Sequence, residues 1–397
     1  MNETSSFPGD VPPIATAIPA FVGYTEKAMK DDQNVLHIPV RIASMDDYQA
    51  IFGGAPAVGS RFFLFYSLQL YFANGGAGCY IVSIGNYSDT PEVSDFFSKA
   101  DARATRSDKP RGIDTLVNEA EPTLLVSPDT VLLAAPTCFQ VQRYMLAHCA
   151  QVQNRFAILD IPNGFQSRTG GNDDVIQVFR QQMKDAENLS WGAVYYPWLK
   201  TGQTDDPMPP SGAIAGVYCA TDAQTGVFKA PANVALAGVA GLTVSIPNND
   251  QEDLNSPIDG KAVNAIRAFP GRGNLVWGAR TLAGNDNEWR YVSVRRTMIY
   301  IEQSLKALLE PYGLSQNTPA TWTAVRAMIE NFLTGFWRDG GLQGPVSKDA
   351  FVVQVGLGTT MTQQDIAEGN MIIQVGMALL RPTEFIWLTL KQRMLPV

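Results

Sequence analysis

The sequence Phe-Ala-Ile-Leu-Asp-Ile at residues 156–161 decides the fold, because it is almost entirely apolar and lies between two segments with helical spacing. These segments are residues 139–152 and 173–186, and two further apolar runs stand at residues 131–136 and 191–198. Apolar strands that alternate with helices are typical of a parallel sheet covered on both faces. The sequence therefore predicts a mixed α/β fold with a central βαβ-type sheet.

The sequence of the N-terminal third predicts an arm, then a helix between two strands, and then an insertion. Three prolines between residues 8 and 13 exclude a helix there, so we expect an extended arm. Residues 19–24 and 79–84 are predicted strands, and residues 61–73 form an apolar stretch of helical length that ends at a run of glycines. Apolar content falls and charge rises over residues 87–121, which predicts a surface insertion or loop.

The C-terminal third predicts an α+β domain. Residues 297–310 and 318–340 have apolar side chains at helical spacing, and both end at proline or glycine. Short apolar strands are predicted at residues 351–355 and 371–375, followed by a terminal strand at residues 384–390.

Composition excludes some partners. The chain has 397 residues and a net charge of −8, and no block of lysine or arginine that could neutralise phosphates, so we predict no nucleic-acid partner. No window approaches 18 consecutive apolar residues, so we predict no membrane insertion. Only 17% of residues are charged, where about a quarter is usual, and either a large core or a partner-covered surface accounts for this.

The cysteines and the first residues favour a cytosolic origin. Four scattered cysteines without a CxxC pair are typical of buried side chains in a reducing compartment: Cys79, Cys138, Cys149 and Cys219. Residues 1–10 have no basic region followed by an apolar run, so we predict no secretory signal peptide. We expect assembly in the bacterial cytoplasm, with lysis as the exit route if the protein acts outside the cell.

No residue pattern compels a catalytic site. His148 and Cys149 are adjacent, and adjacent side chains on a helix point apart, so they do not form a dyad. Asp160 ends a predicted strand, where open α/β sheets bind ligands, but no glycine-rich phosphate loop precedes it. Gly271 and Gly273 begin a dinucleotide fingerprint that Val276 breaks, so a structural turn is favoured.

The acidic residues do not predict a metal site. Asp250, Glu252 and Asp253 could bind calcium, but the glycine and the terminal glutamate of an EF-hand loop are missing, and a solvated acidic loop is favoured. Two histidines cannot form a multi-histidine metal site. We therefore predict no catalytic, cofactor or metal site and no enzyme activity.

Several motifs along the chain are typical of one family. They include LVWGARTL at residues 275–282, EWRYVSVRR at 288–296 and IEQSL at 301–305, and, in chain order, AIPAFVGYT at 17–25, NGGAGCYIV at 74–82, KAPAN at 229–233, NAIR at 264–267, NFLTGFW at 331–337 and RPTEF at 381–385. These motifs resemble those of the contractile tail sheath proteins of phages and extracellular contractile injection systems, and the first three resemble that family's C-terminal domain and its next helix. The matches span most of the chain.

The resemblance implies a structural role. Sheath subunits of this family form hexameric rings stacked around an inner tube, with baseplate and cap proteins at the ends; whether paralogous sheath subunits also share the polymer is left open by the sequence. Contraction drives the tube through a target envelope. Neighbouring subunits are tied by strands exchanged from their terminal arms, a form of β-augmentation. We therefore expect inter-subunit strands at Val11, Ile14 and Ile18 in the N-terminal arm and at Phe385, Trp387 and Thr389, which share one side of the terminal strand.

The resemblance also suggests a division of the chain and one departure. The predicted segments are residues 1–24 (arm and first strand), 25–90 (α/β segment), 91–121 (variable insertion or loop), 122–274 (central α/β region) and 275–397 (sheath domain ending in an arm strand). The family usually has another strand before the proline-rich turn, so we expect a short N-terminal arm.

Two rival functions remain open from the sequence. The family's central region is expected to have a subtilisin-like topology, and Asp160 and His148 could serve a hydrolase, although no nucleophile motif accompanies them. A non-contractile tail or capsid scaffold is the other alternative.

Overall fold

The fold was obtained as a computed structural model that describes residues 14–98, 109–380 and 385–395. It contains two compact units. The N-terminal unit spans residues 15–296, and the C-terminal unit comprises the described residues after Arg296 together with Ile14. The division of the sequence into five segments stays a prediction.

The strands, in chain order, are β1 (Pro19–Thr25), β2 (Met29–Lys30), β3 (Gln33–Asn34), β4 (Val40–Ile42), β5 (Cys79–Asn86), β6 (Leu124–Val126), β7 (Phe156–Asp160), β8 (Gly192–Tyr196), β9 (Leu199–Thr201), β10 (Val234–Ala235), β11 (Val239–Leu242), β12 (Asn264–Phe269), β13 (Gly273–Val276), β14 (Phe351–Val355), β15 (Asn370–Met377) and β16 (Ile386–Arg393). The helices are α1 (Met45–Phe52), α2 (Leu64–Ala73), α3 (Val93–Phe96), α4 (Ala135–Val152), α5 (Val175–Gln182), α6 (Ser211–Thr225), α7 (Asn248–Asn255), α8 (Val292–Leu309), α9 (Pro319–Arg338), α10 (Ser347–Ala350) and α11 (Gln363–Ala367).

A large mixed sheet organises the N-terminal unit. Within the described residues it has nine strands in the order β10-β13-β12-β8-β7-β6-β1-β5-β4. The central pairs from β5 to β12 are parallel, and the pairs at both ends are antiparallel. The predicted mixed α/β fold with a parallel central region is therefore confirmed. β1 is buried throughout and lies between β5 and β6.

One predicted strand is wrong. Residues 131–136 form no strand; a 3-10 helix covers Pro128–Leu132, and the strand is β6, at Leu124–Val126. Pro128 occupies the first turn of the 3-10 helix and Pro136 the first turn of α4, where a missing N–H costs little. Pro128 thus begins the 3-10 helix and Pro136 begins α4. The apolar run between them belongs to this helical region and does not pair in the sheet.

Other predicted elements are confirmed with shifted ends. The helix predicted from residue 173 begins at Val175, because the Asp174 side chain accepts hydrogen bonds from the backbone N–H groups of Ile176 and Gln177 and caps it. The helix predicted from residue 297 begins earlier, at Val292. Residues 87–121 supply buried core side chains at Phe96, Phe97, Ile113 and Leu116, and residues 99–108 lie outside the described chain.

Helices α2 and α6 pack with unusually close backbones. A Cβ atom at Gly212 would lie 2.4 Å from the carbonyl oxygen of Ser67, and one at Gly216 would lie 2.4 Å from that of Tyr71. Real Cβ atoms do not approach oxygen so closely, so these two positions on α6 accept only glycine at this separation.

The C-terminal unit is an antiparallel sheet in the order β14-β15-β16, with helix α9 packed on it. The α9 side chains Val325, Ile329, Leu333 and Phe336 are buried. Alternate residues of β15 such as Ile373 and Val375 are also buried, as a half-covered sheet requires. None of the described helices is both long and apolar enough to cross a membrane.

Candidate assembly surfaces

Strand β16 forms one edge of the C-terminal sheet. It pairs with β15 over eight residues, from Met377 opposite Ile386 to Asn370 opposite Arg393. Among the described residues, no strand pairs with its other side. Burial alternates along β16: Ile386 and Leu390 are buried, whereas Trp387 and Thr389 are exposed. The period of two predicted from the sequence is therefore present, and Phe385, just before the strand, is exposed as well.

The hydrogen-bond pattern identifies which backbone groups face this open edge. Both polar groups of an antiparallel residue point to the same side, and the side alternates along the strand. The backbone N–H of Met394 donates to the carbonyl oxygen of Gly369, beside β15, so even-numbered residues of β16 face β15. The N–H and C=O groups of Trp387, Thr389 and Lys391 therefore point away from β15 and can pair with a further strand.

Two aromatic rings flank this edge on the exposed face of the sheet. Trp387 is 51% exposed and Phe385 is 38% exposed. Trp387 lies opposite Gly376 of β15, and a Cβ atom at Gly376 would be 3.1 Å from each of the two rings. Because Gly376 has no side chain, both rings can pack against the sheet at this position. Their outer surfaces remain available for contact.

The opposite edge of the same sheet is covered. Arg326 of α9 donates from Nε and Nη2 to the carbonyl oxygen of Val353 on β14, at 3.0 and 2.7 Å. Since this carbonyl points away from β15, the guanidinium blocks the free side of β14. The two edges thus differ: one is protected by a charged side chain, as edge strands often are, and the other is open.

The open edge of β16 ends near Leu395, which is bound to the segment before α9. The N–H of Leu395 donates to the carbonyl oxygen of Ser315 at 3.1 Å, and Leu395 forms a parallel bridge with Gln316. Leu314 and Leu395 are both exposed beside this bridge. The open part of the edge therefore runs from Trp387 to Lys391.

The N-terminal candidates are placed differently. Val11 lies outside the described residues, and Ile14 and Ile18 are half-buried. The carbonyl oxygen of Ile18 accepts hydrogen bonds from the N–H groups of Thr123 and Leu124, so Ile18 is bound to its own unit. Of the predicted arm residues, Phe385, Trp387 and Thr389 lie together, and Ile18 belongs to a separate surface in the N-terminal unit.

Known proteins match this chain over nearly all of its length. Residues 284–393 match the phage tail sheath C-terminal domain family. A chain in the cryo-EM structure of the contracted helical sheath of the anti-feeding prophage is 34% identical, with 98% of this chain and 97% of that chain covered and a TM-score of 0.74. The chain belongs to the contractile tail sheath protein family. A chain in the six-fold symmetrised baseplate of the same prophage is 33% identical, covering 99% and 98%, with a TM-score of 0.73.

A curated relative of this sheath protein comes from Pseudomonas aeruginosa strain UCBPP-PA14. It is named as a prophage major tail sheath protein and is 24% identical over 316 residues, which are 78% of this chain and 75% of that protein.

The candidate chemical residues of the sheath protein have structural partners. Asp160 is buried at the end of β7 and accepts a hydrogen bond from the Ser211 backbone N–H at 2.9 Å, and burial raises the pKa of its carboxyl to about 7. His148 lies 3.3 Å from an Arg155 nitrogen, and burial, with this neighbouring cation, lowers the pKa of its imidazole to about 4.

The acidic residues lie on a helix, so the predicted acidic loop is wrong. Asp253 of α7 accepts from Arg168 at 2.7 Å and from Arg180 at 2.9 Å. Burial would raise the pKa of this carboxyl, but the two guanidinium groups outweigh burial and hold it below its usual range. Gly271 and Gly273 lie at the β12–β13 turn, as predicted. Over the described residues, no three His, Cys, Asp or Glu side chains are placed to hold a metal ion.

Sequence reasoning missed Gly376 and Arg326. An isolated glycine inside a predicted strand is a signal for close approach of another group, so Gly376 could have been noticed. Arg326 gives no such signal, because its acceptor Val353 lies 27 residues away in sequence.

Proposed function

We propose that this chain is the structural subunit of a contractile sheath, which polymerises as stacked hexameric rings around an inner tube and contracts to drive the tube through a target envelope. Its likeness to a contracted helical sheath and to a six-fold symmetrised baseplate supports ring stacking, contraction and a baseplate partner. The inner tube, a cap protein and paralogous sheath subunits are its further proposed partners. The role is mechanical and involves no catalysis or cofactor. Assembly takes place in the bacterial cytoplasm, within a phage tail or tail-like particle released by lysis.

The open edge of β16 is the observation that supports this function most directly. An exchanged strand from a neighbouring subunit adds along the outward backbone groups of Trp387, Thr389 and Lys391. Main-chain hydrogen bonds supply affinity in such β-augmentation, and alternate side chains supply specificity. Trp387 and Phe385 provide the apolar contacts, because aromatic side chains bury large areas and tryptophan is enriched among the residues that dominate binding energy at interfaces.

The exchanged strand comes from the N-terminal arm of the neighbour. Val11 and Ile14 are its proposed contact residues. Ile18 marks the inner end of the arm, because its carbonyl oxygen is occupied by Thr123 and Leu124 of its own unit. The pairing strand therefore lies before Thr16.

Electron microscopy of the purified protein, expressed alone, tests this function. We expect hollow six-fold rings or tubes in negative stain. If the protein remains monomeric alone, co-expression with tube and baseplate proteins from the same source is the decisive experiment. Particles that assemble around the tube without this chain in their outer layer would contradict the proposal.

A further inference from the structure

The root of the N-terminal arm, residues 16–18, is bound on one side by a single threonine. The Ile18 N–H donates to Thr123 Oγ1 at 2.8 Å, and the same hydroxyl donates to the carbonyl oxygen of Thr16 at 2.8 Å. The N–H groups of Thr123 and Leu124 donate back to the carbonyl oxygen of Ile18. The Thr123 hydroxyl thus uses both its donor and an acceptor site on the root.

A buried ion pair binds the other side of the root. Arg296 donates to both carboxylate oxygens of Asp222, at 3.0 and 2.6 Å, and its Nη2 also donates to the carbonyl oxygen of Thr16 at 3.0 Å. The thiol of Cys219 donates to the carbonyl oxygen of Ala17 at 3.2 Å. Three successive carbonyls of the root are therefore satisfied by side-chain or backbone donors of the N-terminal unit.

The position and burial of this ion pair indicate more than general stabilisation. The side chains of Arg296 and Asp222 are 2% and 4% exposed, and the guanidinium carbon lies 4.7 Å from the centre of the Tyr218 ring. Burying two charges costs much of what their attraction supplies, so such a pair adds little net stability over apolar packing. What the pair does provide is a guanidinium held in a fixed position, where it donates to the carbonyl oxygen of Thr16, 280 residues away in sequence.

The root leads directly into the centre of the sheet. Residue Pro19 begins β1, which is fully buried and lies between β5 and β6. A pull on the arm is therefore applied first to the root bonds and then to a strand that is hydrogen-bonded on both sides. The root bonds therefore fix the inner end of a tether formed by the arm.

We propose that Arg296, held by Asp222, is the positioning residue that anchors the N-terminal arm to its own subunit, so that a neighbour bound to the arm stays attached while the sheath rearranges. This inference rests on the proposed arm exchange. Arginine is suited to the task because its planar group can bind a carboxylate with two nitrogens and still donate to a carbonyl. A lysine at this position has one charged nitrogen and cannot reproduce both contacts.

Hydrogen exchange of the isolated subunit tests the anchor. We expect Arg296→Met to speed exchange at the Ile18 backbone amide, which donates to Thr123, by at least about tenfold, while β1 stays protected. Arg180→Met is the matched control: Arg180 is 3% exposed and also binds an aspartate, Asp253, with two hydrogen bonds to its carboxylate, but it does not contact the root. Wild-type exchange at the root in Arg296→Met would overturn the proposal.

A second pair of variants covers the case in which Arg296→Met fails to fold. Thr123→Val replaces the hydroxyl by a methyl group of similar size, and Thr123→Ser keeps the hydroxyl. We expect faster root exchange in Thr123→Val alone, and equal exchange in the two variants would contradict the assigned contacts.

Assembled particles test the tether separately. We expect contracted sheaths of Arg296→Met to break between rings, while those of Arg180→Met remain whole. Intact Arg296→Met sheaths with a deprotected root would overturn the tether role. Failure of the wild type to form sheaths would instead contradict the proposed function, and the exchange result would still decide whether Arg296 anchors the root.

Discussion

At the scale of single residues, the glycines of α6 set the spacing between two helices. A methyl group at Gly216 would meet the carbonyl oxygen of Tyr71 at 2.4 Å, so Gly216→Ala must push α2 and α6 apart. We expect a loss of roughly 1–3 kcal/mol in the free energy of unfolding, measured by urea denaturation.

Gly335→Ala is the control for this substitution. Gly335 lies within α9, and a Cβ atom there would meet no heavy atom within 4 Å. Alanine should raise stability by roughly 0.5–1 kcal/mol, because glycine is the poorer helix former. Equal effects of the two substitutions would show that the α2–α6 contact is not close.

Two buried carboxyls make stability depend on pH. Burial raises the pKa of both Asp129 and Asp160 to about 7, whereas an unfolded chain titrates aspartate near 4. The folded state therefore binds more protons between these values, and the two groups lower stability as the pH rises through this window. Above about pH 7 their effect is constant.

Asp160→Asn isolates one of these carboxyls. The free energy of unfolding of this variant, relative to that of the wild type, should rise by roughly 1–4 kcal/mol from pH 5 to pH 8. Urea unfolding at both pH values measures it. Asp205→Asn, at an exposed position, serves as the control. A difference from the wild type that is the same at both pH values would contradict the assigned cause.

At the scale of elements, the open edge of β16 should be needed for assembly but not for folding. Thr389→Pro removes an outward N–H and leaves the bonds to β15 in place, since proline is tolerated on edge strands. We expect a folded subunit that forms no rings or tubes in negative stain. Thr389→Ala keeps the N–H and should assemble. Normal tubes from Thr389→Pro would argue against strand addition at this edge.

The covered edge of β14 leads to the opposite prediction. Arg326→Ala exposes the carbonyl oxygen of Val353, and an uncovered edge invites irregular pairing. We expect more non-specific aggregation, measured by light scattering during storage. Glu330→Ala removes the ion pair with Arg326 but keeps the contact with Val353, so it should behave like the wild type.

The sequence predicted most elements because their patterns are local. The alternation of apolar strands with helical segments around residues 156–161 predicted the parallel sheet. The period of two at Trp387 and Thr389 predicted the exposed side of β16. The strand at residues 131–136 failed because two prolines divide that region. Local patterns could not reveal that β16 is an edge, or that Arg296 binds Thr16, since both depend on contacts between distant parts of the chain.

At the scale of the whole molecule, the proposed arm exchange would use one surface in each unit. The β16 edge in the C-terminal unit has no strand on its outer side among the described residues, and the root in the N-terminal unit is where the proposed arm begins. A subunit that both gives and receives a strand is linked to two neighbours, and repeated links of this head-to-tail kind produce rings or helical polymers.

A cryo-EM reconstruction of the assembled sheath tests this account most directly. We predict backbone density of a neighbouring subunit's N-terminal arm along the outer side of β16, paired with the N–H and C=O groups of Trp387, Thr389 and Lys391. Solvent along that edge in an intact sheath, with subunits joined elsewhere, would contradict it.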